Sequence, residues 1–296
     1  MKLAAIYIFV VLVWSSTPLA IYISNADLNF MLSLALRMSL GAALVVVCLA
    51  IMRQRFLNNR KAWLVGFFGA LGVFPNMPLV YWSTQHIPTG LVSLLFSSTP
   101  FFVGIMSKLL MGESIGGHRL AGICVAFVGL VLVFFDQMRG GLDSILGVLA
   151  MLGSAFIFST SSVLVKKADA HIPPLQQGGC AMIIALPGLW ISWYFLDGTL
   201  PEMVRPSSLY ALLYLVVVGS VLGFGAYYFL LKRMTASSVS LISMISPVLA
   251  IVLGVVVNGE LVKPMFIVGA IVVLTGLSLY SGIWHSVARG NRVQQA

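Results

Sequence analysis

The sequence predicts an all-α membrane protein: ten transmembrane helices in two inverted five-helix repeats, with both termini cytoplasmic. Three observations lead there. Of 296 residues, 60% are hydrophobic and 8% charged, with a mean hydropathy of +1.04, which leaves too little polar surface to cover a water-soluble globule. The second observation is a duplication. Residues 87–133, laid without a gap on 234–280 at a constant offset of 147, match at 11 of 47 positions. The matches keep Pro100/Pro247, Gly112-Glu113/Gly259-Glu260, Gly122/Gly269 and Gly129/Gly276 in register, which chance pairing of apolar segments does not readily do. The offset extends back through Tyr81/Tyr228 and Gly72/Gly219. The third observation is charge. With both termini inside, 13 Lys and Arg fall on the inner side, and Arg139, Arg205 and Lys263 fall outside, a positive-inside distribution. Five helices per half is an odd number, so the second half enters the membrane upside down.

A hydrocarbon core of about 30 Å calls for about 20 mostly apolar residues per helix. Ten stretches qualify, near 3–23, 30–52, 62–84, 90–111, 118–136, 144–166, 175–196, 208–231, 237–258 and 264–285. The first repeat then occupies 1–138, a connecting loop 139–143, the second repeat 144–286 and a basic cytoplasmic tail 287–296. Met1-Lys2 and the apolar run after it lack an A-x-A-like cleavage site and read as the first span rather than a secretory signal.

Span 1 is apolar to Trp14 and then reads Ser15, Ser16, Thr17, Pro18, a polar break at membrane depth. Its counterpart in span 6 reads Phe158, Ser159, Thr160, Ser161, Ser162. Small hydroxyl residues let helices approach and bond their own backbone. Alternatively, Trp14 with Ser159 or Ser162 lines a cavity wall. Both readings stay open.

Span 2 carries Arg37, the one charge well inside a span. An ionisable residue there is a functional candidate, because it costs roughly 2.5–3.5 kcal/mol at the bilayer centre. Counted from Phe30, it lies only about 10 Å deep, so snorkelling to the outer surface is the competing reading. Span 3 holds Pro75, Asn76 and Pro78 near its middle, where span 8 has Leu222, Gly223 and Gly225. One half weakens its helix with proline and the other with glycine. Asn76 and Tyr227 are the polar candidates on these walls.

Spans 4 and 9 hold the repeated core. Pro100 and Pro247 each remove the hydrogen bond to the carbonyl four residues earlier, those of Phe96 and Ser243. In lipid, only protein, trapped water or ligand can satisfy such carbonyls. Helical spacing places Ser93, Phe96, Ser97, Pro100 and Gly104 on one face, and Ser240, Ser243, Pro247 and Ile251 on the matching one. These read as facing stripes of a central cavity, against the alternative of a small-residue packing seam. Spans 5 and 10 have no polar stripe; Gly122 and Gly129, like Gly269 and Gly276, share a face suited to close packing. Glu113 and Glu260 end spans 4 and 9, a position that suits turn or helix-end geometry.

Several functions are disfavoured. Cys48, Cys124 and Cys180 are odd in number and sit inside spans, so they read as buried thiols. The four histidines lie at span ends or in loops without a partner at ligand spacing, so no metal or other cofactor is expected. No G-x-S-x-G or H-E-x-x-H occurs, so an intramembrane enzyme is not expected. Inverted repeats are a transporter architecture that holds substrate between the halves near the midplane.

Ten spans in inverted repeats, with mid-helix proline and terminal Gly-Glu in the fourth helix of each half and spaced glycines in the fifth, resemble the EamA-type transporters of the drug/metabolite transporter superfamily. The resemblance covers roughly 5–134 and 145–281, and Arg37 in span 2 fits it too; Ser15 stands where that family often has glycine. It implies a multi-pass plasma-membrane permease, a bacterial inner-membrane protein, commonly an exporter of amino acids or other small metabolites. Its cavity would be built by helices 1, 3, 4, 6, 8 and 9. No span carries a carboxylate, which disfavours proton-for-cation antiport, and one arginine is too few for a sugar phosphate. A neutral, zwitterionic or weakly anionic solute remains, moved by alternating access. The substrate candidates are Trp14, Arg37, Asn76, Ser93, Phe96, Ser97, Ser159, Ser162, Tyr227, Ser240 and Ser243; the hinge or helix-break candidates are Pro18, Pro75, Pro78, Pro100, Gly223 and Pro247. The expected partners are a small-molecule solute and the lipid bilayer, with no nucleic acid. A flippase for a lipid-linked substrate and a non-transporting scaffold are the alternatives.

Overall fold

A computed structural model describes residues 2–54, 60–112, 116–138, 141–168, 172–260 and 264–281, and these are helical apart from short connections. In chain order the helices are α1 Lys2–Ser24, α2 Phe30–Ile51, α3 Arg60–Leu71, α4 Asn76–His86, α5 Thr89–Phe96, α6 Thr99–Met111 and α7 Gly117–Met138. They continue with α8 Leu142–Ala168, α9 Pro174–Leu196, α10 Pro206–Tyr214, a π-helical segment Leu215–Leu222, α11 Gly223–Arg233, α12 Ala236–Ser240, α13 Ile242–Asn258 and α14 Pro264–Ser281. Among the described residues, eight helices or joined helix pairs are long and apolar enough to cross a membrane, and Pro264–Tyr280 is a shorter apolar helix. Glu113, Arg139, His171, Lys263 and the tail beyond 281 lie outside the described residues.

Local chemistry sets the ends. The Asn29 side chain accepts the Met31 N–H at 2.8 Å and starts α2. Pro174 and Pro206 open α9 and α10, where a missing N–H is harmless. Gly112 and Gly259 close α6 and α13 in the left-handed region, at φ 74° and 65°. That conformation accounts for the glycine of each repeated Gly-Glu. The glutamate of the second pair reaches the other half. Glu260 accepts from the Thr89 N–H at 3.0 Å, the Thr89 hydroxyl at 2.6 Å and the Gly90 N–H at 3.3 Å, capping the N-terminus of α5.

The most extensive helix pairs all join the first half to the second: α7 with α14, α2 and α3 with α9, α4 and α6 with α8, and α1 and α5 with α13. Equivalent spans meet each other (α2 with α9, α5 with α13, α7 with α14), and span 1 on span 9 mirrors span 6 on span 4. That pattern is a two-half inverted arrangement. The α7–α14 contact is glycine-mediated as its spacing predicts. A Cβ on Gly129 would stand 2.6 Å from the Val273 nitrogen, and one on Gly276 would stand 2.7 Å from the Ala126 Cα. Cys180 is buried, whereas Cys124, expected to be buried, is exposed on the outer wall of α7.

The breaks differ from those expected of continuous kinked helices. Span 4 is two helices: α5 stops at Phe96, and Pro100 sits in the first turn of α6 rather than inside a bent helix. Pro75 is an exposed N-cap of α4, and Pro78 lies in that helix's first turns. Pro18 and Pro247 are inside α1 and α13. Gly223 begins α11 directly after the π segment.

Candidate functional site

The interior cavity has a volume of about 70 Å³ and is lined by Trp14, Thr17, Pro18 and Ile21 of α1, Arg37 of α2, Asn76, Met77 and Val80 of α4, and Val92, Ser93 and Phe96 of α5. Met151 and Phe158 of α8, Gly219 of the π segment, Phe224 of α11, and Ser243 and Ser246 of α13 complete the wall. One water needs at least about 10–15 Å³ of such space, so the cavity has room for only a few water-sized groups. That volume is well below the 300–1,000 Å³ of open ligand pockets. Both halves contribute.

Arg37 is 1% exposed and does not snorkel. Its Nε donates to the Ser220 hydroxyl at 2.8 Å and its Nη1 to the Tyr81 hydroxyl at 3.1 Å. Hydrogen bonds to charged groups contribute about 1.5–3 kcal/mol each, enough to offset an insertion cost of roughly 2.5–3.5 kcal/mol. Among the described residues, the guanidinium is thus held in place without a carboxylate bonded to it. The π segment makes this possible. It presents Ser220 to Nε, and Gly219 leaves the space: a Cβ there would stand 3.0 Å from Nη2. Inserted π turns recur at functional sites.

Trp14 is packed by Phe96, Phe158 and Tyr227 at ring-centroid distances of 5.8, 5.5 and 5.3 Å, in edge and tilted arrangements worth about 0.5–1.5 kcal/mol per pair. Three of these rings line the cavity. Tyr227 stands behind them, its hydroxyl bonded to that of Ser162 at 2.6 Å.

Trp14, Pro18, Arg37, Asn76, Ser93, Phe96 and Ser243 thus meet in the lining. Ser97, Ser159, Ser162, Tyr227 and Ser240 do not. Ser159 bonds the Thr99 and Ala155 carbonyls at 3.1 and 2.6 Å, Ser162 bonds the Phe158 carbonyl at 2.8 Å, and Ser240 bonds the Ser237 carbonyl at 2.8 Å. Ser97 donates to the Leu94 carbonyl. Gly104 faces Tyr280 of α14, and Ile251 packs against Gly90, so the two expected stripes divide between cavity and seam. The carbonyl that Pro100 leaves open at Phe96 accepts the Thr99 hydroxyl at 2.5 Å, while Ser98 donates to the Leu95 carbonyl at 2.7 Å. Asn76 bridges halves, donating to the Gly72 carbonyl at 2.8 Å and accepting from Ser154 at 2.6 Å.

The sequence reading did not find Ser220, Tyr81 or Ser246. Ser246 lies one turn beyond Ser243, and the Tyr81/Tyr228 match was visible. Ser220 carried no signal beyond its place next to Gly219. Among the described residues, no three His, Cys, Asp or Glu side chains gather where a metal ion would fit.

Two further cross-half ties lie at the α1–α2 and α9–α10 connections. Asp27 accepts from the Ser208 hydroxyl at 2.6 Å and pairs with Arg205 Nε at 2.9 Å. These donors, Ser208 first, hold its carboxyl below the ordinary aspartate range.

Known proteins place this arrangement. The model of the EamA-like transporter family matches residues 2–135 and 145–282. The chain is 26% identical over 200 residues to a probable amino-acid metabolite efflux pump of Escherichia coli, covering 64% of this chain and 67% of that protein. It is 24% identical over 247 residues to a probable terminal-alkyne amino-acid exporter of Streptantibioticus cattleyicolor, covering 81% and 79%. A crystal structure at 18% identity aligns over 96% of this chain and 98% of that one with a TM-score of 0.70, a likeness of fold. Multi-pass, apolar, and matched by the same family model in each half, the chain belongs to the EamA-like transporter family.

Proposed function

We propose that the protein exports a small zwitterionic or weakly anionic metabolite, an amino acid or a related compound, by alternating access of the cavity between its halves. The carrying observation is the cavity itself: walled by both halves, with one buried guanidinium and four aromatic rings in its lining. The relatives named as amino-acid efflux proteins support the solute class. In this reading ten spans form two five-helix repeats, 1–138 and 144–286, with both termini cytoplasmic. The Asp27–Ser208/Arg205 and Glu260–Thr89 ties then both lie on the outer face. Opening outward breaks them, and binding of solute shifts the population only as far as it favours one state over the other.

The test is to quantify amino acids and related acids inside and outside cells that produce the protein and cells that do not. The expected result is one or a few solutes enriched outside and depleted inside only when the protein is present. Identical profiles, with the protein present in the membrane, would overturn the reading.

A further inference from the structure

The donors around the cavity are not equally engaged. Thr17 and Ser243 turn their hydroxyls back to the Val13 and Ser240 carbonyls at 2.7 and 2.6 Å, and Ser246 does so to Ile242 at 3.0 Å. Arg37 and Ser93 differ. A guanidinium has five N–H donors, and Arg37 has two of them bonded, which leaves three. Ser93 is 5% exposed, lines the cavity, and its hydroxyl has no protein partner among the described residues. The lining contains no Asp or Glu, so it offers one buried cation and no anion.

Resting on the transport reading above, we propose that the cavity selects its solute by a carboxylate. The carboxylate takes the free edge of the Arg37 guanidinium as a paired hydrogen-bonded acceptor, with Ser93 as an additional donor, and the apolar remainder lies against Trp14, Phe96 and Phe158. Planar guanidinium and carboxylate groups match two bonds to two acceptors. The ammonium of an amino acid meets no opposite charge here, so it is tolerated rather than required. Small apolar monocarboxylates are therefore ligands alongside amino acids, and an amine without a carboxylate is excluded, because a second buried cation beside Arg37 lacks compensation.

Valine, 3-methylbutanoate and isobutylamine separate these demands: the second lacks the amine of the first, and the third lacks its carboxylate. Calorimetric titration of the purified, detergent-solubilised protein with each is expected to show binding of valine and 3-methylbutanoate, with isobutylamine weaker by about 30-fold or more, the usual loss when a buried charge loses its partner. Arg37→Gln should abolish that preference, and Ser93→Ala should weaken both acids a few-fold without reversing the order. Isobutylamine binding as tightly as 3-methylbutanoate to the intact protein would overturn the carboxylate anchor, with no variant needed. If none of the three binds although producing cells still export a solute, the carboxylate assignment fails and the transport reading stands. If binding and export are both absent, both fail.

Discussion

In the first half the fourth span opens between Phe96 and Thr99, and three consecutive hydroxyls, of Ser97, Ser98 and Thr99, cover the carbonyls that the break exposes. In the second half α13 stays helical through Pro247, and the break falls at Leu241, earlier in register. The third span shows the same contrast. The first half interrupts the helix from Gly72 to Pro75, whereas the second threads Pro206–Arg233 without a break through a π segment that begins at Leu215. Duplication thus preserved where a helix must be weak, and local side chains decided how. The difference has chemical consequences. Arg37 corresponds to Ile184, so the cation exists once; Ser93 keeps a hydroxyl for the cavity, while its identical counterpart Ser240 donates to the Ser237 carbonyl. On the proposal above, recognition belongs chiefly to one half of a nearly symmetric frame.

Where the halves are alike, equal substitutions should have equal effects. Gly129 and Gly276 occupy equivalent positions on opposite sides of the α7–α14 contact, and each meets backbone of the partner helix. Alanine at either is expected to cost about 1–3 kcal/mol through overpacking, read as a similar fall in the thermal unfolding midpoint of the detergent-solubilised protein. A fall for only one would show that the packing symmetry does not extend to energetics.

Where the halves differ, the effects should diverge. Thr99→Val removes the donor from a Phe96 carbonyl that Pro100 cannot reach, a loss of about 1–3 kcal/mol for a buried unsatisfied acceptor. Its counterpart Ser246 bonds the Ile242 carbonyl, which lies in the continuous helix, so Ser246→Ala is expected to cost less than about 1 kcal/mol. Equal shifts in unfolding midpoint would contradict the division between broken and unbroken spans.

The smallest effect concerns the Asp27 tie, whose equivalent positions, Pro174 and Lys61, cannot provide a carboxylate. Because Ser208 and Arg205 lower the folded-state pKa of Asp27, its stabilisation is complete above the ordinary aspartate value. It is lost as pH falls through the lowered one. Asp27→Asn should therefore open the outer face slightly at neutral pH, measured as accessibility of an engineered cysteine at Ile21. The difference from the intact protein should persist down to the ordinary aspartate range and vanish only in stronger acid.

Hydropathy made the spans legible, because a lipid-crossing helix needs little beyond length and apolarity. The repeat made the paired breaks legible. Seven of the residues singled out from the sequence meet in the cavity lining, but helical periodicity extends the stripe to Ser97 only in an unbroken span 4, and span 4 is broken. The turn after Phe96 sends that hydroxyl to Leu94 and leaves Ser93 as the inward one. The π segment was not legible. Leu215–Leu222 is uniformly apolar apart from Gly219 and Ser220, and an i to i+5 shift arises from what the helix packs against, here Arg37 across the halves. Tertiary contact, rather than local propensity, made Ser220 part of the site.

The claim that the two halves divide the work of recognition is tested most directly by one substitution at two equivalent positions: solute counterflow in liposomes containing the intact protein, Ser93→Ala or Ser240→Ala, with valine as solute. The expected result is slower uptake and a higher half-saturating concentration for Ser93→Ala, with Ser240→Ala close to the intact protein. Equal impairment by both, or impairment by Ser240→Ala alone, would contradict it.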